Sequence, residues 1–181
     1  PLRVPPPAAF TARLALSKHS WLAFLLLGLG AGAPIVAADD GDAGGWRALL
    51  SALKANSDNM KGIVAYETPG FVFPEGEGSE PKPDAPYGPN AVPLAEFKKL
   101  TKVPMQMVWG DNVTESASYT SSLKLSKLFA EKVNKYGGKA QVLMLPDAGL
   151  KGNTHIPFAD MNNVAVADLL SLHELRDESG Q

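Results

Sequence analysis

Residues 61–70, KGIVAYETPG, contain the pattern that decides the fold. The uninterrupted apolar run at 63–65 is typical of a strand that is buried on both faces of a parallel sheet. The run ends at an acid, Glu67, and proline and glycine follow within three residues, as they do in turns. The stretch therefore predicts a buried strand that presents Glu67 at its carboxyl end.

Further strands and helices are predicted on both sides of this stretch. Apolar runs at 103–109 and 140–145 predict two more strands, and apolar residues at helical spacing predict helices over 46–55, 121–136 and 164–172. Strands that alternate with helices are typical of a parallel sheet with helices on its faces. The sequence thus predicts an α/β fold with about three parallel strands flanked by helices.

Composition excludes several classes of function. The 181 residues include 17 basic and 19 acidic side chains, a net charge of −2, so no positive field attracts nucleic acid and no such partner is expected. The sequence has no cysteine, which excludes disulfides, thiolate metal sites and a cysteine nucleophile. Its three histidines lack metal-binding spacing, so we expect neither a metal nor another cofactor.

Residues 1–38 have the layout of a disordered start followed by a targeting segment. Two basic residues, Arg13 and Lys18, precede an uncharged stretch, 19–38, that ends in small residues before acidic ones. This order is typical of a secretory signal, which predicts a secreted or periplasmic protein. The alternatives are a membrane anchor and a buried element of a soluble fold. In the last of these, the glycines of 28–32 resemble a nucleophile elbow with glycine in the place of serine.

The segment 68–93 is rich in proline, and we expect it to be irregular. Its seven prolines remove backbone donors and disfavour both helix and central strand. A connection of this length is either a solvated excursion or a functional loop. Because it leaves the strand that carries Glu67, a lid is one interpretation, with Phe71 and Phe73 as its contacts to a substrate.

Three polar residues are expected at one edge of the sheet. Ligands of parallel sheets bind at the carboxyl ends of the strands, where Glu67, Asp111 and the loop with His155 are predicted. A histidine base needs a carboxylate on its second ring nitrogen, and either acid is able to provide it. Each of the three residues also has a structural alternative. Glu67 would be solvated or cap a neighbouring helix, Asp111 would bond nearby backbone in a turn, and His155 would serve as a hydrogen-bonding residue of its loop.

The runs KGIVAYETPG, VPMQMVWGDN and FAEKVNKYGGKAQVLMLPDAGLKGNTHIPFADMNNVAVADLL resemble the C-terminal half of an α/β-hydrolase. They are similar to bacterial secreted esterases with a Ser–Glu–His triad. The resemblance covers about residues 46–173, and the C-terminal half of an α/β-hydrolase-like domain is predicted over 39–181. In that family the acid ends a strand in a V-x-E-P-G-like context and the histidine follows in a G-N-[ST]-H motif. The resemblance therefore implies that Glu67 is the acid, His155 the base, Asp111 a turn residue and a small-molecule ester the substrate.

The sequence departs from that family at the nucleophile. The family carries serine in an H-S-Q-[GS]-G-like elbow shortly before the position of Trp46, where residues 37–44 read AADDGDAG, and no G-x-S-x-G occurs. Two hypotheses remain: a hydrolase by descent whose nucleophile is missing, or a non-catalytic binding protein or truncated remnant. A sheet without its first half has an exposed edge, which predicts self-association or a partner chain.

Overall fold

The computed structural model describes residues 25–26, 35–38, 44–54, 60, 62–78 and 90–169. The strands within these residues are β1 Leu25–Leu26, β2 Ile35–Ala38, β3 Gly62–Tyr66, β4 Val72–Pro74, β5 Asn90–Val92, β6 Met105–Trp109 and β7 Ala140–Met144. The helices are α1 Gly44–Lys54, α2 Leu94–Leu100, α3 Ala117–Lys135 and α4, residues 163–169. Short 3-10 turns occupy Asn112–Glu115 and Pro157–Ala159.

The main sheet has the strand order β1-β2-β3-β6-β7. Strands β2, β3, β6 and β7 are parallel, and β1 pairs with β2 in the antiparallel direction. Helices separate consecutive parallel strands, as the crossover connections of a parallel sheet require. The predicted α/β fold class is therefore confirmed, and the sheet has one parallel strand beyond the three that the sequence indicated.

That additional strand lies in the segment interpreted as a signal or an anchor. Ile35–Ala38 pairs with Gly62–Ala65 in parallel register, so it covers the edge of β3 that sequence reasoning left open. The remainder of the first 38 residues, including the glycines of 28–32, lies outside the described residues. Within the described part of the chain, no helix has the length and apolar character needed to cross a membrane. Signal cleavage, secretion and association through a sheet edge stay predictions.

The sheet is covered by apolar layers on its two faces. All five residues of β6 are buried, because alternate side chains enter different layers. Met107 and Trp109 pack in the larger layer with residues of α1, α2 and α3, whereas Val108 packs in the smaller layer with Val166 of α4. The indole N–H of Trp109 donates to Ser126 Oγ at 3.1 Å, so the buried indole is satisfied.

The first part of the proline-rich segment belongs to the core. Strands β4 and β5 pair in parallel, and the rings of Phe71 and Phe73 are at most 1% exposed. Both rings pack on Phe129 of α3, with centroids 5.2 and 6.3 Å away. The prediction that Phe71 and Phe73 contact a substrate is therefore wrong: their apolar surface is buried against a helix. Residues 79–89 lie outside the described residues, and a lid there stays a prediction.

A cluster of charged and polar side chains joins Glu77, near the end of residues 71–78, to α3 and the residue that follows it. Glu77 accepts hydrogen bonds from Lys132 Nζ at 2.9 Å and Lys135 Nζ at 2.6 Å, and also from the hydroxyl of Tyr136. Donation from Lys135, Tyr136 and Lys132 lowers the pKa of Glu77 to about 2. The carboxylate therefore stays ionised through the acidic range and holds residues 71–78 on the helix.

Candidate active site

Glu67 lies directly after β3, buried, in an unusual backbone conformation. Its φ of 40° is the only positive value for a non-glycine residue among the described residues. Its N–H donates to the carbonyl oxygen of Val108 at 2.9 Å, which continues the pairing of β3 with β6. A left-handed conformation of a residue with a Cβ is strained, and such strain is concentrated at functional sites.

Gly110, directly after β6, holds the carboxylate of Glu67. The N–H of Gly110 donates to Glu67 Oε1 at 2.7 Å, a short charge-assisted hydrogen bond. An added Cβ at Gly110 would lie 3.0 Å from that oxygen, 3.2 Å from the carbonyl oxygen of Asn153 and 3.5 Å from that of Thr154. The glycine therefore lies between the acid and the two residues that precede His155.

The loop that carries His155 is organised around the buried side chain of Asn153. Its Nδ2 donates to Asp160 Oδ2 at 3.0 Å and to Asn162 Oδ1 at 2.7 Å, and its Oδ1 accepts from Asn162 Nδ2 at 3.1 Å. A buried amide is costly unless its donors and acceptors are paired, and here the side chain is paired at both ends. Asn153 thus fixes the course of the loop two residues before the histidine.

Thr154 adds a second set of bonds to the same loop. Asp160 accepts from the N–H of Thr154 at 2.8 Å and from its hydroxyl at 2.9 Å, and the hydroxyl in turn accepts from the N–H of Ile156 at 3.1 Å. The half-buried ring of His155 lies 6.2 Å from the ring of Tyr119, centroid to centroid, at 37°. These bonds explain why asparagine and threonine precede the histidine.

Asp111 has a role beyond the turn that the sequence predicts. Its Oδ2 accepts from the N–H of Gly152 at 2.7 Å and its Oδ1 from the N–H of Asn153 at 3.0 Å. Donation by Gly152 lowers the pKa of Asp111, against the opposing effect of burial. The carboxylate therefore bonds the backbone of the histidine loop, 41 residues away in sequence, in addition to its own backbone. The only sequence signal for this contact was that both segments follow neighbouring strands.

The start of α1 packs closely on the turn after Glu67. A Cβ on Gly45 would lie 2.4 Å from Thr68 Cβ, so only glycine fits there. Between the end of β2 at Ala38 and Gly44, residues 39–43 lie outside the described residues. In sequence, residues 41–45 read GDAGG, which is the G-x-S-x-G spacing of a strand-to-helix elbow with Ala43 in the place of serine. The absence of serine conceals this spacing in the sequence.

The donor set of the site does not indicate a metal. Among the described residues, no group of three or more histidine, aspartate or glutamate side chains is able to hold an ion. Asp111 and Asp160, which lie on either side of Asn153, accept from N–H and O–H donors. The acids near the histidine loop are therefore engaged with the protein itself.

Comparisons with known proteins find similarity among solved structures. No protein-family model and no curated protein matches the sequence. Among solved structures, the chain is similar to a novel bacterial esterase, with 25% identity and a TM-score of 0.61. The similarity covers 80% of this chain and 38% of the esterase, so the chain spans less than half of that protein's length. The sheet and this similarity together define a hydrolase-like α/β fold.

Proposed function

We propose that this chain belongs to the α/β-hydrolase superfamily and that Glu67 and His155 are the acid and base of a Ser–Glu–His carboxylic-ester hydrolase. The main support for this proposal is the position of Gly110, which donates a hydrogen bond to the Glu67 carboxylate and lies close to the carbonyl oxygens of residues 153–154. It brings the acid and the histidine loop together at the carboxyl ends of β3 and β7. The similarity to a bacterial esterase supports the same assignment.

The chemistry assigned to the pair is general acid–base catalysis. His155 Nε2 takes the proton of a hydroxyl that attacks the ester carbonyl and later returns a proton to the leaving alcohol. Glu67 Oε2 accepts the hydrogen on His155 Nδ1, which selects the tautomer and stabilises the imidazolium. The bond from the N–H of Gly110 to Oε1 holds the carboxylate in position for that task.

The attacking hydroxyl is the component that this chain lacks. Ala43 occupies the position that corresponds to the nucleophilic serine of the G-x-S-x-G spacing. Strand β2, a short connection and helix α1 follow one another in the order that a nucleophile elbow requires. A methyl group at residue 43 is unable to attack a carbonyl. The unaltered chain is therefore expected to bind small esters without forming an acyl-enzyme at this position, as a hydrolase scaffold with a binding role.

The test restores the hydroxyl. The full chain and its Ala43→Ser variant are treated with a fluorophosphonate probe and analysed by intact mass, and hydrolysis of p-nitrophenyl acetate is followed beside a circular-dichroism melt. We expect no adduct on the unaltered chain and one adduct on Ala43→Ser, mapped to residue 43. In that background, His155→Ala should lower hydrolysis by about 10²–10⁴-fold, and Glu67→Gln should also lower it.

Two controls make the outcome decisive. Ala95→Ser adds a serine at an exposed position of α2 and should acquire neither adduct nor activity. A folded Ala43→Ser variant that is unlabelled and inactive would overturn the assignment of the pair. An adduct on the unaltered chain at another serine, such as Ser51 or Ser57, would overturn the assignment of residue 43 while retaining the hydrolase.

A further inference from the structure

We propose that Asp111 is a positioning residue for His155, and that the turn 110–112 docks the histidine loop against the acid. The inference rests on the proposed function for the role of His155, but its geometry is independent of any hydrolysis. Asp111 contacts the loop three residues before the histidine, at Gly152, and again at Asn153.

Each residue of the 110–112 turn makes at least one hydrogen bond across the site. The N–H of Gly110 donates to Glu67, the carboxylate of Asp111 accepts from the histidine loop, and Asn112 Nδ2 donates to the carbonyl oxygen of Asn153 at 3.0 Å. Three consecutive residues after one strand therefore bond the segments that follow its two neighbours, β3 and β7. This turn links the acid and the base.

The conformation of the loop suits a carboxylate at this place. Gly152 has a φ of 77°, and successive N–H groups around a left-handed residue form a concavity that binds anions. The carboxylate of Asp111 fills it with one oxygen on each N–H. Alanine at 111 would leave both N–H groups without this acceptor and asparagine would leave one, so the loop would lose hydrogen bonds that join it to the 110–112 turn.

The same bonds argue against Asp111 as the acid of the histidine. Each of its carboxylate oxygens already accepts a backbone N–H of the loop, whereas the Glu67 carboxylate lies against Gly110 beside the carbonyl groups of residues 153 and 154. An acid that holds the backbone of the loop determines where the imidazole lies without exchanging a proton with it. Asp111 therefore acts through the loop.

The experiment follows the position of the ring in the full isotope-labelled chain by NMR. It records the nuclear Overhauser contact between the rings of His155 and Tyr119 and the hydrogen exchange of the N–H groups of Gly152 and Asn153. In Asp111→Ala, both N–H groups should exchange at least about tenfold faster, because a lost charged hydrogen bond exposes them to solvent. The ring contact should weaken, while the N–H of Gly110 should stay protected.

Matched variants separate the position of the loop from general stability. Asp147→Ala removes an exposed carboxylate from the same connection after β7 and should change none of these signals. Asp111→Asn keeps one acceptor oxygen, so one of the two N–H groups should stay protected. If Asp111→Ala does not fold, this variant tests whether Asp111 positions the loop. Unchanged exchange and an unchanged ring contact in a folded Asp111 variant would overturn the inference.

Failure of this inference is distinguishable from failure of the proposed function. In the Ala43→Ser background, Asp111→Ala should lower kcat more than it raises KM, since the base is displaced rather than the ester site. If Ala43→Ser is inactive, the proposed function fails but the NMR result still decides whether Asp111 positions the loop. If Ala43→Ser is active and the Asp111 variants leave every signal unchanged, only the positioning role is overturned.

Discussion

Replacement of Gly45 by alanine should separate the start of α1 from the turn that follows Glu67. The added Cβ would lie 2.4 Å from Thr68 Cβ and 2.6 Å from its Oγ1, and 3.2 Å from Ala65 Cβ. Ordinary contact begins near 3.4 Å, so the helix or the turn must move by roughly 1 Å. Overpacking of this kind costs about 1–3 kcal/mol, partly offset by about 0.5–1 kcal/mol because alanine favours a helix over glycine.

The assay is urea-induced unfolding of a double-mutant cycle. Thr68→Gly removes the Cβ that the new methyl group meets, so Gly45→Ala should cost about 1–2 kcal/mol less in that background than in the unaltered chain. Gly62→Ala is the control, since its added Cβ would have a single ordinary contact at 3.6 Å; its effect should be within about 0.5 kcal/mol of zero. Additivity of the Gly45 and Thr68 changes within about 0.5 kcal/mol would refute the close approach.

The displacement also has a catalytic consequence in the proposed function. A misplacement of about 1 Å in a catalytic group costs about 10²-fold in rate. In the Ala43→Ser background, Gly45→Ala should therefore lower ester hydrolysis by about that factor while Gly62→Ala does not. Equal activity of both variants would show that the start of α1 does not position residue 43.

Three further predictions concern the surroundings of the site. The pKa of Glu77 is about 2 in the folded chain, against an ordinary value of 4.5. Its contribution to the free energy of unfolding is therefore complete above pH 4.5 and is lost as the pH falls from 4.5 towards 2. Melts of Glu77→Gln and of the unaltered chain should therefore converge over that range, and a constant difference would contradict the ion cluster. Phe129→Ala should cost about 3–5 kcal/mol in urea unfolding, because a fully buried ring loses its aromatic partners and leaves a cavity; a loss under about 1.5 kcal/mol would contradict its central position. Gly152→Ala should cost about 1–2 kcal/mol from backbone strain alone, since no atom lies within 4 Å of the added methyl group, and an unchanged unfolding midpoint would contradict the left-handed conformation.

Local pattern was sufficient for the elements whose burial is continuous. The run at 63–65 predicted β3, and the turn residues after it placed Glu67 at the carboxyl end. The apolar stripe of α3 and the glycines that end it were likewise readable, because helical periodicity and a left-handed Gly137 are local properties. The parallel order followed from the alternation of strands and helices.

Other features depended on contacts that a linear pattern does not show. Ile35–Ala38 has the composition of a signal segment and of a buried strand alike, and only pairing with β3 distinguishes them. The aromatic residues at 71 and 73 lie in the proline-rich segment, yet they are buried against Phe129, more than fifty residues later. The bonds of Asp111 to the histidine loop are non-local in the same way.

The hydrogen bond from Gly110 to Glu67 has a consequence for variation of the chain. Its donor belongs to the main chain, so every residue type except proline supplies it. The bond requires no particular side chain at residue 110, so comparison of related sequences would reveal no residue preference at 110 that arises from the donor itself. Substitutions at residue 110 are able to act on the acid only through the volume they add between Glu67 and the histidine loop. The bond is thus retained when residue 110 is substituted, whereas an added methyl group would lie 3.0 Å from Glu67 Oε1 and 3.2 Å from the carbonyl oxygen of Asn153.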